Sequence, residues 1–97
     1  MSVLLNNVSV DTDGAALTTD GGNKTVSVDA TSFGSGTVTI EGRRPSGPWI
    51  VLTIAGSPAT FTANAIRMID RLGQGMEVRA TLTGSTGANA VNVYLFN

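Results

Sequence analysis

Two arginines and a tryptophan fall within one short stretch of this chain, at Arg43, Arg44 and Trp49. Guanidinium groups beside an indole can hold an anion or stack on a base or a sugar. The same residue types in a turn also make a core anchor with solvated tips, and the sequence leaves both readings open. Asp11-Thr12-Asp13-Gly14 has the alternate carboxylates and glycine that begin a calcium loop, but the third acidic position and the bidentate glutamate that complete one are missing. Asp and Gly are equally the residues of a plain turn, so no metal site is expected. Glu41, Asp70 and Glu77 are the carboxylates available for acid–base chemistry outside the acidic N-terminal region. Each of them alternates outward or sits beside a turn. Gly34-Ser35-Gly36 leads into a strand with no Gly-Lys-Ser/Thr after it, which excludes a phosphate loop.

The residues that are absent narrow the chemistry further. The 97-residue chain contains neither cysteine nor histidine. Zinc, haem and iron–sulfur sites built on those residues, a cysteine nucleophile, a disulfide framework and a Ser-His-Asp triad are therefore excluded. No catalytic residue and no cofactor is expected, and the protein reads as not an enzyme.

The elements that would position these side chains are strands. Period-two alternation rich in Val, Ile and Thr recurs between glycine-containing breaks. Val8-Ser9-Val10 is a short first candidate, and residues 11–23 read as loop. Lys24 to Ala30 puts Val26, Val28 and Ala30 on one face, and Thr37 to Gly42 turns Val38 and Ile40 inward. Residues 43–48 form a turn in which two prolines bracket Gly47, the residue that tolerates positive φ. Trp49 to Ile54 is a nearly continuous apolar run, expected to be covered on both faces. Residues 64–73 admit two readings: strand plus turn, or a short helix with Asn64 and Gly73 as caps and Ile66, Ile69 and Leu72 as its stripe. Met76 to Leu82 alternates most clearly, and Ala90 to Phe96 closes the chain. On that last strand Tyr94 and Phe96 oppose Val91, Val93 and Leu95, so a second layer or a neighbouring chain must cover the aromatic face.

About seven short strands without a crossover helix give an all-β fold: a single small antiparallel β-sandwich or jelly-roll-like barrel over residues 1–97. Residues 1–23 are expected as an N-terminal arm or extended loop region. Met1 to Asn6 lacks a basic region and has only a short apolar run, so synthesis in the cytosol without a signal peptide is expected. No apolar stretch approaches a membrane span.

The formal net charge of −1 argues against nucleic acid as a partner, because phosphate binding needs a basic field. That small value conceals a division. Asp11, Asp13, Asp20, Asp29 and Glu41 face Lys24 alone in residues 1–41, whereas Arg43, Arg44, Arg67, Arg71 and Arg79 outweigh Asp70 and Glu77 in residues 42–97. Either the strands fold back and mix the two halves, or the halves match head to tail between subunits.

The segments Gly36-Thr37-Val38-Thr39-Ile40-Glu41-Gly42, Pro45-Ser46-Gly47-Pro48-Trp49, residues 76–84 and Val91-Asn92-Val93-Tyr94-Leu95 together resemble small β-sandwich virion structural proteins of tailed bacteriophages and prophages. In such proteins a strand leads through a Pro/Gly turn to a Trp-bearing strand, and a Val-Arg-Ala strand and a Gly-rich hairpin follow. The resemblance spans about 60 of the 97 residues and leaves out residues 1–35. It implies a virion location, as a capsid decoration (cement) protein, a head-fibre base or a small tail or neck piece. It also implies a homo-oligomer, with a trimer favoured, that contacts other virion proteins such as the major capsid protein and contacts neither nucleic acid nor membrane. An acidic N-terminal segment would then serve as an arm reaching a neighbouring subunit. The contact residues expected are Arg43, Arg44, Trp49, Tyr94 and Phe96. The alternatives are a carbohydrate- or receptor-binding module that stacks sugars on Trp49 and Tyr94, and a small carboxylate hydrolase.

Overall fold

A computed structural model describes residues 1–97 and contains strands, turns and no helix. Six strands of six to eight residues carry the architecture: β1 (Ser2–Val8), β4 (Gly22–Asp29), β5 (Thr37–Arg43), β10 (Ala65–Leu72), β11 (Glu77–Thr83) and β12 (Val91–Phe96). Six two-residue strands fill the edges: β2 (Thr12–Asp13), β3 (Leu17–Thr18), β6 (Ile50–Val51), β7 (Thr53–Ile54), β8 (Ser57–Pro58) and β9 (Thr60–Phe61). Sheet A runs in the order β1-β12-β4-β10. Sheet B runs β2-β11-β5-β6, with β3 also on β11 and β9 also on β5. Every pairing is antiparallel. The all-β, antiparallel sandwich expected from the alternation is the fold observed.

Alternation explains why these segments pair as they do. Val26 and Val28 of β4, Val91 and Val93 of β12, Val38 and Ile40 of β5, and Val78 and Leu82 of β11 are almost wholly buried in one cluster of 18 apolar residues. A strand with a buried residue at every second position can face the opposite sheet in one register only, since a one-residue slip would expose the whole set. β5 and β11 keep that register over seven consecutive pairs, from Glu77 opposite Arg43 to Thr83 opposite Thr37.

Three sequence expectations are corrected, and one left between two readings is decided. The first strand is Ser2–Val8 and not Val8–Val10. Adjacent Leu4 and Leu5 are both buried, which simple alternation forbids; register shifts between Val3 and Leu5, and again between Leu5 and Val8, let both turn inward. Trp49 to Ile54 is not one covered strand. It breaks at Leu52 into β6 and β7, and Ile50 and Val51 remain 63% and 40% exposed at the rim of sheet B. Of the two readings of residues 64–73, the strand is the one observed: β10 lies antiparallel to β4, and Asn64 accepts the Ala30 N–H at 3.0 Å. A register shift between Ile69 and Leu72 puts both of those residues inward, imitating a helical stripe, while Ile66 points outward. In the turn after β5, Ser46 takes the positive φ of 63°, not Gly47. Gly47 is needed for space, because a Cβ there would lie 2.7 Å from Arg44 Cγ.

Residues 1–23 are built into the sandwich. Leu4 and Leu5 belong to the core, and β2 and β3 border β11. Gly14 donates its N–H to the Ala80 carbonyl at 2.8 Å and so closes the side of the sandwich beneath β1.

The loop before β5 is pressed onto the β11–β12 hairpin. Gly34 has φ of 55°, and a Cβ at this position would lie 2.2 Å from the Thr86 carbonyl oxygen and 2.5 Å from the Gly87 carbonyl carbon. Both atoms are backbone and cannot swing aside. Gly34→Ala is therefore expected to cost about 2–3 kcal/mol, lowering Tm by roughly 10–20 °C for a domain of this size. An unchanged melting curve would contradict this account of the loop.

Candidate contact surfaces

Glu41-Gly42-Arg43 on β5 and Glu77-Val78-Arg79 on β11 are two Glu-x-Arg triplets on neighbouring antiparallel strands. Antiparallel pairing reverses one triplet against the other, so each glutamate meets an arginine: Glu77 lies opposite Arg43, and Glu41 lies opposite Arg79. The Nε of Arg43 donates to Glu77 Oε1 at 2.8 Å, and the Nε of Arg79 donates to Glu41 Oε1 at 2.8 Å. All four side chains are mostly covered, at 27%, 24%, 20% and 18% exposure. Trp49, which follows the Pro45–Pro48 turn, lies against both cations, with guanidinium carbons 4.3 Å and 4.4 Å from its ring centroid. Opposite-charge cross-strand pairs contribute roughly 0.2–1 kcal/mol each. Cation–π contacts add a similar amount.

Of the five residues expected to make contacts, the structure thus unites Arg43 and Trp49. It adds Arg79, which enters the sequence reading through the charge division, and Glu41 and Glu77, which enter it as candidates for acid–base chemistry; the signal that points to their pairing is the repeated triplet. Arg44 is not part of the cluster. It is exposed at the turn, its carbonyl accepts the Gly47 N–H at 2.9 Å, and its side chain forms no salt bridge.

Tyr94 and Phe96 lie on the other sheet. Registers place Val3, Tyr94, Ser27 and Ile66 in one row across the outer face of sheet A, and Phe96, Thr25 and Met68 in a second row. The two aromatics are half-buried, whereas Val3, Ile66 and Met68 at the flanks are 56%, 68% and 60% exposed. The two faces carrying the expected contact residues therefore point in opposite directions from the sandwich.

The remaining carboxylates act as fasteners. Asp11 accepts both the N–H and the hydroxyl of Ser85, at 2.9 Å and 2.6 Å, tying the segment before β2 to the β11–β12 hairpin. Asp13 approaches Arg79 at 3.9 Å. Asp70 accepts the Thr53 hydroxyl and the N–H groups of Ala55 and Gly56, at 2.5, 3.0 and 3.1 Å. Ala55 and Gly56 both have positive φ, so β7 and β8 are joined by a two-residue turn of the I′ type, and Asp70 locks that turn onto β10. Lys24, buried near the start of β4, donates to Asp20 and to the Asn97 side chain. The carboxylates of the calcium-like run and of the acid–base set are thus bound to hydroxyls, amides and guanidinium groups of the chain itself. No group of three or more His, Cys, Asp or Glu side chains lies together.

These fastenings respond to pH in a definite direction. The Ser85 hydroxyl, reinforced by its N–H, holds the Asp11 carboxyl below the usual 3.8; hydrogen bonding and charge from Lys24 do the same for Asp20, and the Thr53 hydroxyl with the Gly56 and Ala55 amides does so for Asp70. A carboxyl with a lowered folded-state pKa contributes stability that is complete above its unfolded value and is lost as pH falls through the folded value. Thermal midpoints are expected to stay flat from about pH 7 to about pH 5 and to drop below about pH 4. Asp70→Asn should lower the midpoint at neutral pH and shrink the acid-induced drop. A midpoint that rises on acidification would contradict the assignment.

Compared with protein-family models, curated proteins and solved structures, the chain matches none of them.

Proposed function

We propose that the protein works by contact: a non-enzymatic structural component of a bacteriophage particle, of the capsid decoration or accessory type, that self-associates and binds other virion proteins such as the major capsid protein. The observation that carries the reading is where the large apolar side chains remain exposed. Met1, Val3, Val10, Ile50, Val51, Ile66 and Met68 are the seven. All of them belong to β1, the segments flanking it, β6 or β10, which are the borders of the two sheets. The middle strands β12, β4, β11 and β5 expose none. Apolar borders of this kind suit burial against another protein surface.

The resemblance to virion proteins supports the same reading from the sequence side. The carbohydrate alternative receives less support, because the Trp49 ring that would stack on a sugar is already engaged by Arg43 and Arg79. A catalytic alternative receives less support as well, since Glu41 and Glu77 are each paired with an arginine in the folded chain.

Light scattering across a concentration series tests the contact reading. The expected mass is a multiple of 9.9 kDa, with a trimer favoured. Tailed particles purified from the source cells should contain the chain at many copies. A strictly monomeric protein at high concentration, or particles without the chain, would overturn the proposal.

A further inference from the structure

The charge division seen along the sequence becomes a spatial one in the fold. The strand orders of the two sheets put β1 and β2 at one side of the sandwich and β10 and β6 at the other. Contacts agree: β1 lies against β11, the neighbour of β2, and β10 lies against β7, which follows β6 in the chain and pairs with β8. The β1 side carries Asp11 and Asp13, both exposed. The β10 side carries Arg67 and Arg71 on β10, with Arg44 at the turn leading to β6, all three exposed.

Folding back neutralises the middle of sheet B, where β5 meets β11, and leaves these borders charged; on β4, Asp29 is met only by the Asn92 side-chain amide. Arg43 and Arg79 are paired with Glu77 and Glu41. Arg44, Arg67 and Arg71 have no salt-bridge partner. Asp70, the acid nearest to Arg67 and Arg71 in sequence, directs its oxygens to Thr53, Ala55 and Gly56. On the opposite side Asp11 is bound to neutral Ser85, and Asp13, 70% exposed, has only a distant cation at 3.9 Å. Each border also exposes apolar side chains beside its charges: Val3 and Val10 on the acidic side, Ile66, Met68, Ile50 and Val51 on the basic side.

We infer that the two borders are the two halves of one interface, and that the acidic β1–β2 side of one copy docks against the basic β10–β6 side of the next. The occupant of each border is a second copy of this chain. An isologous contact would set like charges against each other, Arg67 and Arg71 against their own counterparts, whereas the head-to-tail arrangement pairs unlike charges with apolar side chains at the centre. A head-to-tail contact closes into a ring when its rotation permits, and a three-membered ring satisfies the trimer favoured above. β1 is irregular at two register shifts, so side chains rather than a continuous backbone ladder make the contact. This inference rests on the proposed self-association and specifies its geometry.

Charge reversal tests it with light scattering. Arg67→Glu/Arg71→Glu reverses one border and Asp13→Lys reverses part of the other. Each variant should raise the concentration for half-assembly by about 5-fold or more. The combination of all three substitutions in one chain should recover most of that loss, because the borders again carry opposite signs. Circular dichroism confirms the fold of each variant. Should one of them fail to fold, a salt series on the unaltered protein takes its place: assembly should weaken as the screening length contracts from about 10 Å at 0.1 M to about 3 Å at 1 M salt. A monomeric unaltered protein would overturn the contact reading itself. An oligomer indifferent to both reversals and to salt, or sensitive to one border only, would overturn the head-to-tail inference and leave self-association standing.

Discussion

One face of β4 and β12 packs on one face of β5 and β11, and the rest of the molecule is arranged around that contact. Val26, Val28, Val91 and Val93 on one side and Val38, Ile40, Val78 and Leu82 on the other are almost wholly buried in a single cluster. Four strands with every second side chain committed inward leave no freedom of register. The other residue of each pair must then point outward. That is why Glu41, Arg43, Glu77 and Arg79 meet on the surface of sheet B, and why Tyr94 and Phe96 meet Thr25 and Ser27 on the surface of sheet A. A two-sheet sandwich also has to end somewhere, and its open borders carry the apolar and charged residues that the centre does not use.

The periodic parts of this arrangement were legible in the sequence. Lys24 to Ala30, Thr37 to Gly42, Met76 to Leu82 and Ala90 to Phe96 alternate plainly, and they correspond to the four middle strands β4, β5, β11 and β12. The border strands were harder to read, and for a common reason. β1 buries Leu4 and Leu5 in succession through a register shift, and a similar shift in β10 brings Ile69 and Leu72 to one side. Irregular pairing removes the period-two signal where a strand lies at a border and bends. The apolar run after Trp49 misled in the opposite sense. Apolar Ile50 and Val51 suggest a buried strand, whereas the chain leaves them at the rim.

The surface clusters were legible in part. Arg43 and Trp49 stand close enough in sequence to be noticed together, but their partners lie thirty or more residues away, Glu77 from Arg43 and Arg79 from Trp49. Only a pairing register could unite them, although the repeated Glu-x-Arg triplet would have suggested one. The net charge of −1 gave no hint of surface polarity, while the halves of opposite sign did. In the fold, Arg79 and Glu41 cancel across the halves. Exposed Asp11 and Asp13 lie on one side of the sandwich and exposed Arg67 and Arg71 on the other, so mixing accounts for the middle of sheet B, and head-to-tail matching is what we propose for the borders.

Hydrogen exchange measured at low and at high protein concentration addresses the central claim most directly. Amides on the middle strands are already held by neighbours on both sides and should not change. Two separate stretches, residues 2–13 and residues 65–71, should gain protection together as concentration rises. Protection gained by only one of these stretches, or by neither while the protein assembles, would contradict an assembly built from the two opposite borders of the sandwich.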